Sequence, residues 1–220
     1  MMNRQSKIVL HILWDGNFGG VPKFIRDVTI YSDKNRFKHV IVFLTKAGCF
    51  SDEISRQGNL VYSLGMENGF SVIKGLRLLA IINKIKPDII HNHSGSYSSN
   101  LIILFFWRIP KVYIDHGGEW LQEKPLKQII FYNCFARFYD LILANSKYVR
   151  DEIIRLTKVK PKRFEIFYIG INASEYATEH IDRDVLKREF GIVREDKVVG
   201  IVARDSLVNF INVRTQLGKR

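Results

Sequence analysis

Two short clusters carry the side chains best suited to chemistry. The first is His91-Asn92-His93. In an extended chain residues i and i+2 point to the same side, so both imidazoles can face one site. Such a His-x-His pair can ligate zinc or manganese. The second cluster is Asp115-His116-Gly117-Gly118-Glu119. Together the two offer three histidines and two carboxylates, the donor set of a metal-dependent hydrolase. The competing reading packs His91 in the core and has His93 and His116 line a cleft without metal. A third feature, Trp14-Asp15-Gly16-Asn17-Phe18-Gly19-Gly20, leads into a helical stretch at Val21. Glycines at a helix N-terminus let backbone N–H groups approach an anion. The spacing is not GxGxxG and does not support a dinucleotide site. A tight turn alone also accounts for Gly19 and Gly20.

Other candidates are weaker. Phe131, Tyr132, Phe135, Phe138 and Tyr139 form an aromatic stripe near Lys124, Lys127 and Arg137. It suits either a membrane surface or the core side of an amphipathic helix. The run Lys158–Arg163 reads as a solvated loop. Net charge is +12, from 34 Lys and Arg against 22 Asp and Glu. The excess is spread, +7 in residues 1–110 and +5 in 111–220. That favours anionic partners, but no nucleic-acid module is recognisable, and nucleic acid is not expected as a partner.

These loops need elements to hold them. Runs Ile8–Leu13, His39–Leu44, Asn59–Leu64, Asp88–Asn92, Lys111–Asp115, Asp140–Ala144, Phe164–Ile169 and Lys197–Ala203 read as strands. Most are apolar on both faces, the mark of a parallel sheet covered on each side. Helical stripes lie between them: Val21, Phe24, Ile25, Val28; then Ile73, Leu76, Leu79, Ala80; then Val149, Ile153, Leu156. Ser146 is placed to cap the third. Asp182 and Gly191 bracket a short helix near the C-terminus. The alternation predicts an α/β fold, doubly wound around a mainly parallel, Rossmann-like sheet. Residues 1–177 form the first domain; 178–220 hold a linker helix and the first strand of a second. In such sheets ligands bind beyond the carboxyl ends of the strands, where both histidine clusters fall.

Composition excludes a disordered chain: 46% of residues are hydrophobic, with 15 Phe and 9 Tyr. Cys49 and Cys134 are far apart and outside any CxxC pattern, which suits a reducing cytoplasm. The N-terminal apolar stretch is short and broken by His11, unlike a signal peptide. The longest apolar run, Leu101–Trp107, cannot cross a bilayer. A cytoplasmic protein is expected, with peripheral contact to anionic membrane at most.

The segments FGGVPKFIRDV, KPDIIHNHS, VYIDHGG, DLILANSKYVRDEI and RFEIFYIGINASEY occur in an order and spacing that resemble the N-terminal domain of family 4-like retaining glycosyltransferases of the GT-B fold. LKREFGI and VVGIVAR resemble the entry to their second Rossmann-like domain. The resemblance implies sugar transfer from a nucleotide-sugar to a polysaccharide or glycolipid acceptor, without a metal or other cofactor. It implies that His116 lies by the transferred sugar and that Gly19 and Gly20 face the donor diphosphate. The resemblance further implies that His93, Glu119, Asn145 and Ser146 line the cleft and that Arg204 opens the donor half. Two family features are missing: the lysine shortly after that arginine, and the pair of glutamates seven residues apart that grips the donor. A second domain needs roughly 150 residues, so the resemblance implies an incomplete form with little turnover of its own. A non-catalytic fragment and a metal hydrolase built on His91-x-His93 are the alternatives.

Overall fold

Seven of the apolar runs become strands in the computed structural model, which describes residues 6–17, 19–66, 71–117, 125–157, 159–160, 163–176, 183–189 and 191. They are β1 (Lys7–Leu13), β2 (Phe37–Phe43), β3 (Leu60–Ser63), β4 (Ile89–Asn92), β5 (Lys111–Asp115), β6 (Leu141–Ala144) and β7 (Phe164–Ile166). Every pairing is parallel, in the order β3-β2-β1-β4-β5-β6-β7. The order reverses between β1 and β4, which opens a crevice at the carboxyl ends of those strands. The expected strand Lys197–Ala203 lies outside the described residues.

Right-handed crossovers sort the helices onto two faces. Helices α1 (Gly20–Tyr31) and α2 (Phe50–Arg56) cover one. They pack Phe24, Ile25, Phe50 and Ile54 against Leu13, Ile41, Phe43 and Ile114. Each such side chain, fully buried, contributes about 1.5–3 kcal/mol over its exposed state. Helices α3 (Val72–Ile85), α4 (Tyr97–Leu104), α5 (Pro125–Phe135) and α6 (Lys147–Leu156) cover the other face. Their core includes Leu78, Ile82, Ile103, Phe131, Tyr132 and Ile153. The aromatic stripe is therefore core: Phe131, Tyr132, Phe135 and Tyr139 are buried, and only Phe138 is exposed.

One expectation fails. The stripe Ile73–Leu76 of α3 faces outward, at 72% and 56% exposure, while Gly75, Leu78 and Ile82 are buried. The helix is apolar on nearly all sides, so periodicity alone does not choose its inner face. Gly75 does not force the choice, since a Cβ there would make only ordinary contact with Ile102 of α4 at 3.6 Å; the inner face is the one on which Leu78 and Ile82 join the core.

The chain divides into two compact units, Met1–Gly170 and Ile171–Arg220. The second contains a 3-10 turn, Ala173–Tyr176, and helix α7 (Arg183–Glu189). Gly191 follows α7 with φ +64°, and its N–H donates to the Arg188 carbonyl. Among the described residues no helix is long and apolar enough to cross a membrane.

Candidate functional site

Strand register brings distant histidines together. His11 of β1 lies opposite His91 of β4, and His39 sits two residues before Ile41, the β2 partner of His11. Alternation sends His11, His39, His91 and His93 to the face covered by α1. The rings of His91 and His93 are 4.1 Å apart between centroids, so the His-x-His pair does share one side. His116 follows β5, and its Nε2 lies 3.1 Å from Nδ1 of His93. Phe24 of α1 rests against both rings, at 6.1 and 6.0 Å between centroids.

The row continues inward. Nε2 of His93 meets Nδ1 of His11 at 3.4 Å, and Nε2 of His11 meets Nδ1 of His39 at 2.9 Å. Nε2 of His39 then lies 2.8 Å from Oγ of Ser32, the residue that ends α1. His91 stands beside this row, and its buried Nε2 has no hydrogen-bond partner.

Burial weakens every one of these bases. Desolvation takes His116 down to about 4. It takes His91 to about 3, helped by the neighbouring His116 and His39. His11 and His93 fall well below 6.5, chiefly by desolvation and then by repulsion from other imidazoles, and His39 is lowered by desolvation. All five rings are consequently neutral near pH 7.

Ring nitrogens of His11, His91 and His93 lie within 4.8 Å of one another. Tetrahedral zinc, with Zn–N near 2.0–2.1 Å, needs edges of about 3.3 Å. His11 and His93 already use both ring nitrogens on neighbouring rings. Nor does Asp115 add a carboxylate to this group. It accepts from Tyr132 Oη at 2.6 Å and from the Gly117 N–H at 2.7 Å.

The loops around His116 are tightly fixed. Gly117 has φ +66°, and a Cβ there would meet Val149 Cγ2 at 2.6 Å, so glycine is required twice over. Asn145 donates its side-chain amide to the His116 carbonyl. Ser146 Oγ accepts from the Val149 N–H and caps α6. Gly19 and Gly20 open α1 with no side-chain cap. Pro22 lacks an N–H, so the first turn presents the amides of Gly20 and Val21. A cavity of about 120 Å³ opens here, lined by Val21, His93, Gly95, His116, Gly117 and Phe131 among others; Gly19, Gly20 and Asn145 are not in its wall. The glycine-led helix, His93 and His116 thus share the carboxyl edge. Glu119 and Arg204 lie outside the described residues. A larger cavity, about 250 Å³ between Arg137, Lys160 and Arg163, sits by the amino ends of β6 and β7, away from these groups.

On the opposite face of the same strand end, a second polar cluster holds β4. The Asn92 side-chain amide donates to Tyr139 Oη at 2.6 Å, and that hydroxyl donates to Asn100. Asn92 Oδ1 accepts from the Ser94 N–H at 3.0 Å.

The sequence profile of Glycosyltransferase Family 4 matches residues 18–175, most of the chain. The chain belongs to glycosyltransferase family 4. Its fold is also that of solved relatives. Anabaena HepE, determined with UDP and glucose, superposes with a TM-score of 0.64 at 19% identity, over 84% of this chain and 50% of HepE. A glycosyltransferase from Rickettsia africae ESF-5 gives 0.63 at 15% identity, over 86% of this chain and 51% of that one. The chain spans about half the length of both. A search of curated proteins returns no match.

In this family 4 domain, sequence reasoning placed His93, His116, Gly19, Gly20 and Asn145 at one edge but missed the partners behind them. His11 registers in the sequence only as a polar break in an apolar run, and His39 only as the start of a strand. The signal available was a histidine at an inward strand position, where an unpaired polar ring is costly.

Proposed function

We propose that this domain is the acceptor-side half of a retaining glycosyltransferase that moves a sugar from a nucleoside-diphosphate sugar to a glycan or lipid-linked acceptor. One observation carries the reading: His93, His116 and the uncapped first turn of α1 converge on one cavity at the topological switch point. HepE, of the same fold, was determined with UDP and with UDP-glucose, which supports a uridine diphosphate donor.

The chemistry suits these groups. Departure of a nucleoside diphosphate builds negative charge, which amides at a helix N-terminus stabilise without a metal. His116 is neutral and meets a sugar hydroxyl as a hydrogen-bond partner. Gly117 and Asn145 hold its backbone, so its position costs no rearrangement during transfer.

A lipid-linked acceptor would require a cytoplasmic protein that touches the membrane. Ile73 and Leu76 of α3, Leu101 of α4, and Phe105 and Trp107 just after it are exposed. Arg108 stacks over the Trp107 ring at 4.8 Å. Exposed apolar side chains with a cation beside them suit the surface of an anionic bilayer.

The test is a panel of UDP- and GDP-sugars, with membrane extract as acceptor. It uses the 220-residue chain extended by the remaining half of HepE. Transfer that His116→Ala abolishes supports the reading. A folded, donor-binding extended chain that transfers nothing to any acceptor refutes it.

A further inference from the structure

Five of the chain's six histidines meet in one place, and four of them join in a single row. Each link has the same sense. His116 Nε2 faces His93 Nδ1, His93 Nε2 faces His11 Nδ1, and His11 Nε2 faces His39 Nδ1. Ser32 Oγ closes the far end at His39 Nε2.

A neutral imidazole has one N–H and one lone pair. With every ring neutral, only two arrangements satisfy all links. In one, every proton sits on Nε2, each ring donates toward Ser32, and His116 Nδ1 is left as a lone pair. In the other, every proton sits on Nδ1, the Ser32 hydroxyl donates to His39, and His116 Nδ1 carries a proton. Any mixture sets two protons or two lone pairs against each other at one link. In a buried row such a link goes unmade and unsolvated. A hydroxyl can donate or accept, so Ser32 terminates either arrangement.

We propose that Ser32, His39, His11 and His93 are positioning residues: they lock the tautomer of His116 to that of the whole row, and the row rests with its protons on Nε2, the tautomer a neutral histidine side chain intrinsically favours, which keeps His116 Nδ1 as a lone pair for a substrate hydroxyl. The inference rests on the transferase reading for its purpose, but not for its test. Proton balance across the row is complete. When a hydroxyl proton moves to His116 Nδ1, the Nε2 proton of each ring passes to Nδ1 of the next. His39 delivers one proton to Ser32 Oγ, and the serine's own proton leaves to water. Return of the Nδ1 proton to the leaving diphosphate, with one proton taken up at Ser32, restores the starting row. No ring has to turn.

The experiment is heteronuclear NMR on the 220-residue chain labelled with nitrogen-15 histidine. Pyrrole-like and pyridine-like ring nitrogens are distinguished by their shifts. The native row is expected to show pyrrole-like Nε2 and pyridine-like Nδ1 at His116, His93, His11 and His39 alike. His39→Phe removes the acceptor for His11 and should move the His116 nitrogens toward averaged, mixed-tautomer shifts. His39→Gln supplies an amide oxygen to His11 and should restore them. If His39→Phe does not fold, Ser32→Ala is read the same way, with a smaller shift in the same direction. In the extended chain, His39→Phe should lower kcat while donor KM holds, with rescue by His39→Gln.

A native row with pyrrole-like Nδ1 would overturn the proposal, as would opposite tautomers on adjacent native rings or unchanged His116 shifts in a folded His39→Phe. An ordered, responsive row in an extended chain that transfers no sugar would leave the relay standing and remove the transferase reading instead.

Discussion

Acid should unfold this domain through its histidines. Above pH 6.5 the rings are neutral in both the folded and unfolded chains and contribute nothing to the difference. Below 6.5 the unfolded chain binds protons that the folded one refuses until about pH 4 at His116 and about pH 3 at His91. Stability is therefore present above 6.5 and is lost as the pH falls toward those values. Between pH 7.5 and 5.5 each fully refused proton costs about 1.4 kcal/mol. His91 and His116 together give about 2.7 kcal/mol, and His11 and His93, lowered in the same direction, add to it. Small domains hold roughly 5–15 kcal/mol in total, so this loss removes a substantial share of the stability by pH 5.5 and grows as the pH falls further. His91→Leu tests the account at one residue. Its Nε2 has no partner, so Leu removes no hydrogen bond there, and its pH 7.5 stability should stay within about 1 kcal/mol of the parent. At pH 5.5 the variant should be more stable than the parent by about 1.4 kcal/mol. Urea unfolding at the two pH values reads both quantities. A parent that changes by under about 2 kcal/mol, or a variant with the parent's slope, would show that these rings do titrate in place.

Gly117→Ala should cost about 1–3 kcal/mol through its positive φ and the Val149 methyl, with part of the loss recovered in the Val149→Ala background; urea midpoints decide. Tyr139→Phe leaves two buried amides without their shared hydroxyl, for a loss of about 1–3 kcal/mol by the same measurement, and a loss under about 0.3 kcal/mol would speak against that network. Vesicle sedimentation should show binding that needs anionic lipid and fades with salt, weakened by Trp107→Ser; each basic residue near the surface adds about 1 kcal/mol at most, and equal binding to neutral vesicles would rule the surface out. Metal analysis after dialysis against chelator should find less than stoichiometric zinc or manganese, whereas one retained ion per chain would favour the hydrolase chemistry of His91 and His93.

The sheet was legible because buried parallel strands leave continuous β-branched runs, and each run here is bounded by a turn or a cap. The Ser146 cap of α6 was equally readable, since its oxygen serves a local N–H three residues on. The inner face of α3 was not: apolar side chains lie on most sides of the helix, and only packing against other elements picks Leu78 and Ile82 over Ile73 and Leu76. The cleft edge followed from the topology, so His93 and His116 could be placed together before any coordinates. His11 and His39 could not be joined to them. Their partners lie 28 and 82 residues away in sequence, and only the pairing register of β1 with β2 and β4 aligns the rings.

The end of β4 is held from both sides of the sheet. His93 is bonded into the imidazole row on one face, while Asn92 is bonded to Tyr139 and Asn100 on the other. Adjacent residues of one strand are thus anchored in opposite layers, and Ser94 is tied to the second anchor. A loop so constrained has lost its conformational entropy during folding and not on meeting a ligand. Binding there should therefore keep most of its contact enthalpy, and the apo and bound loops should differ little in amide hydrogen exchange. It also means that Tyr139, 47 residues from Asn92 in sequence, holds from the far face of the sheet the strand end that carries His93.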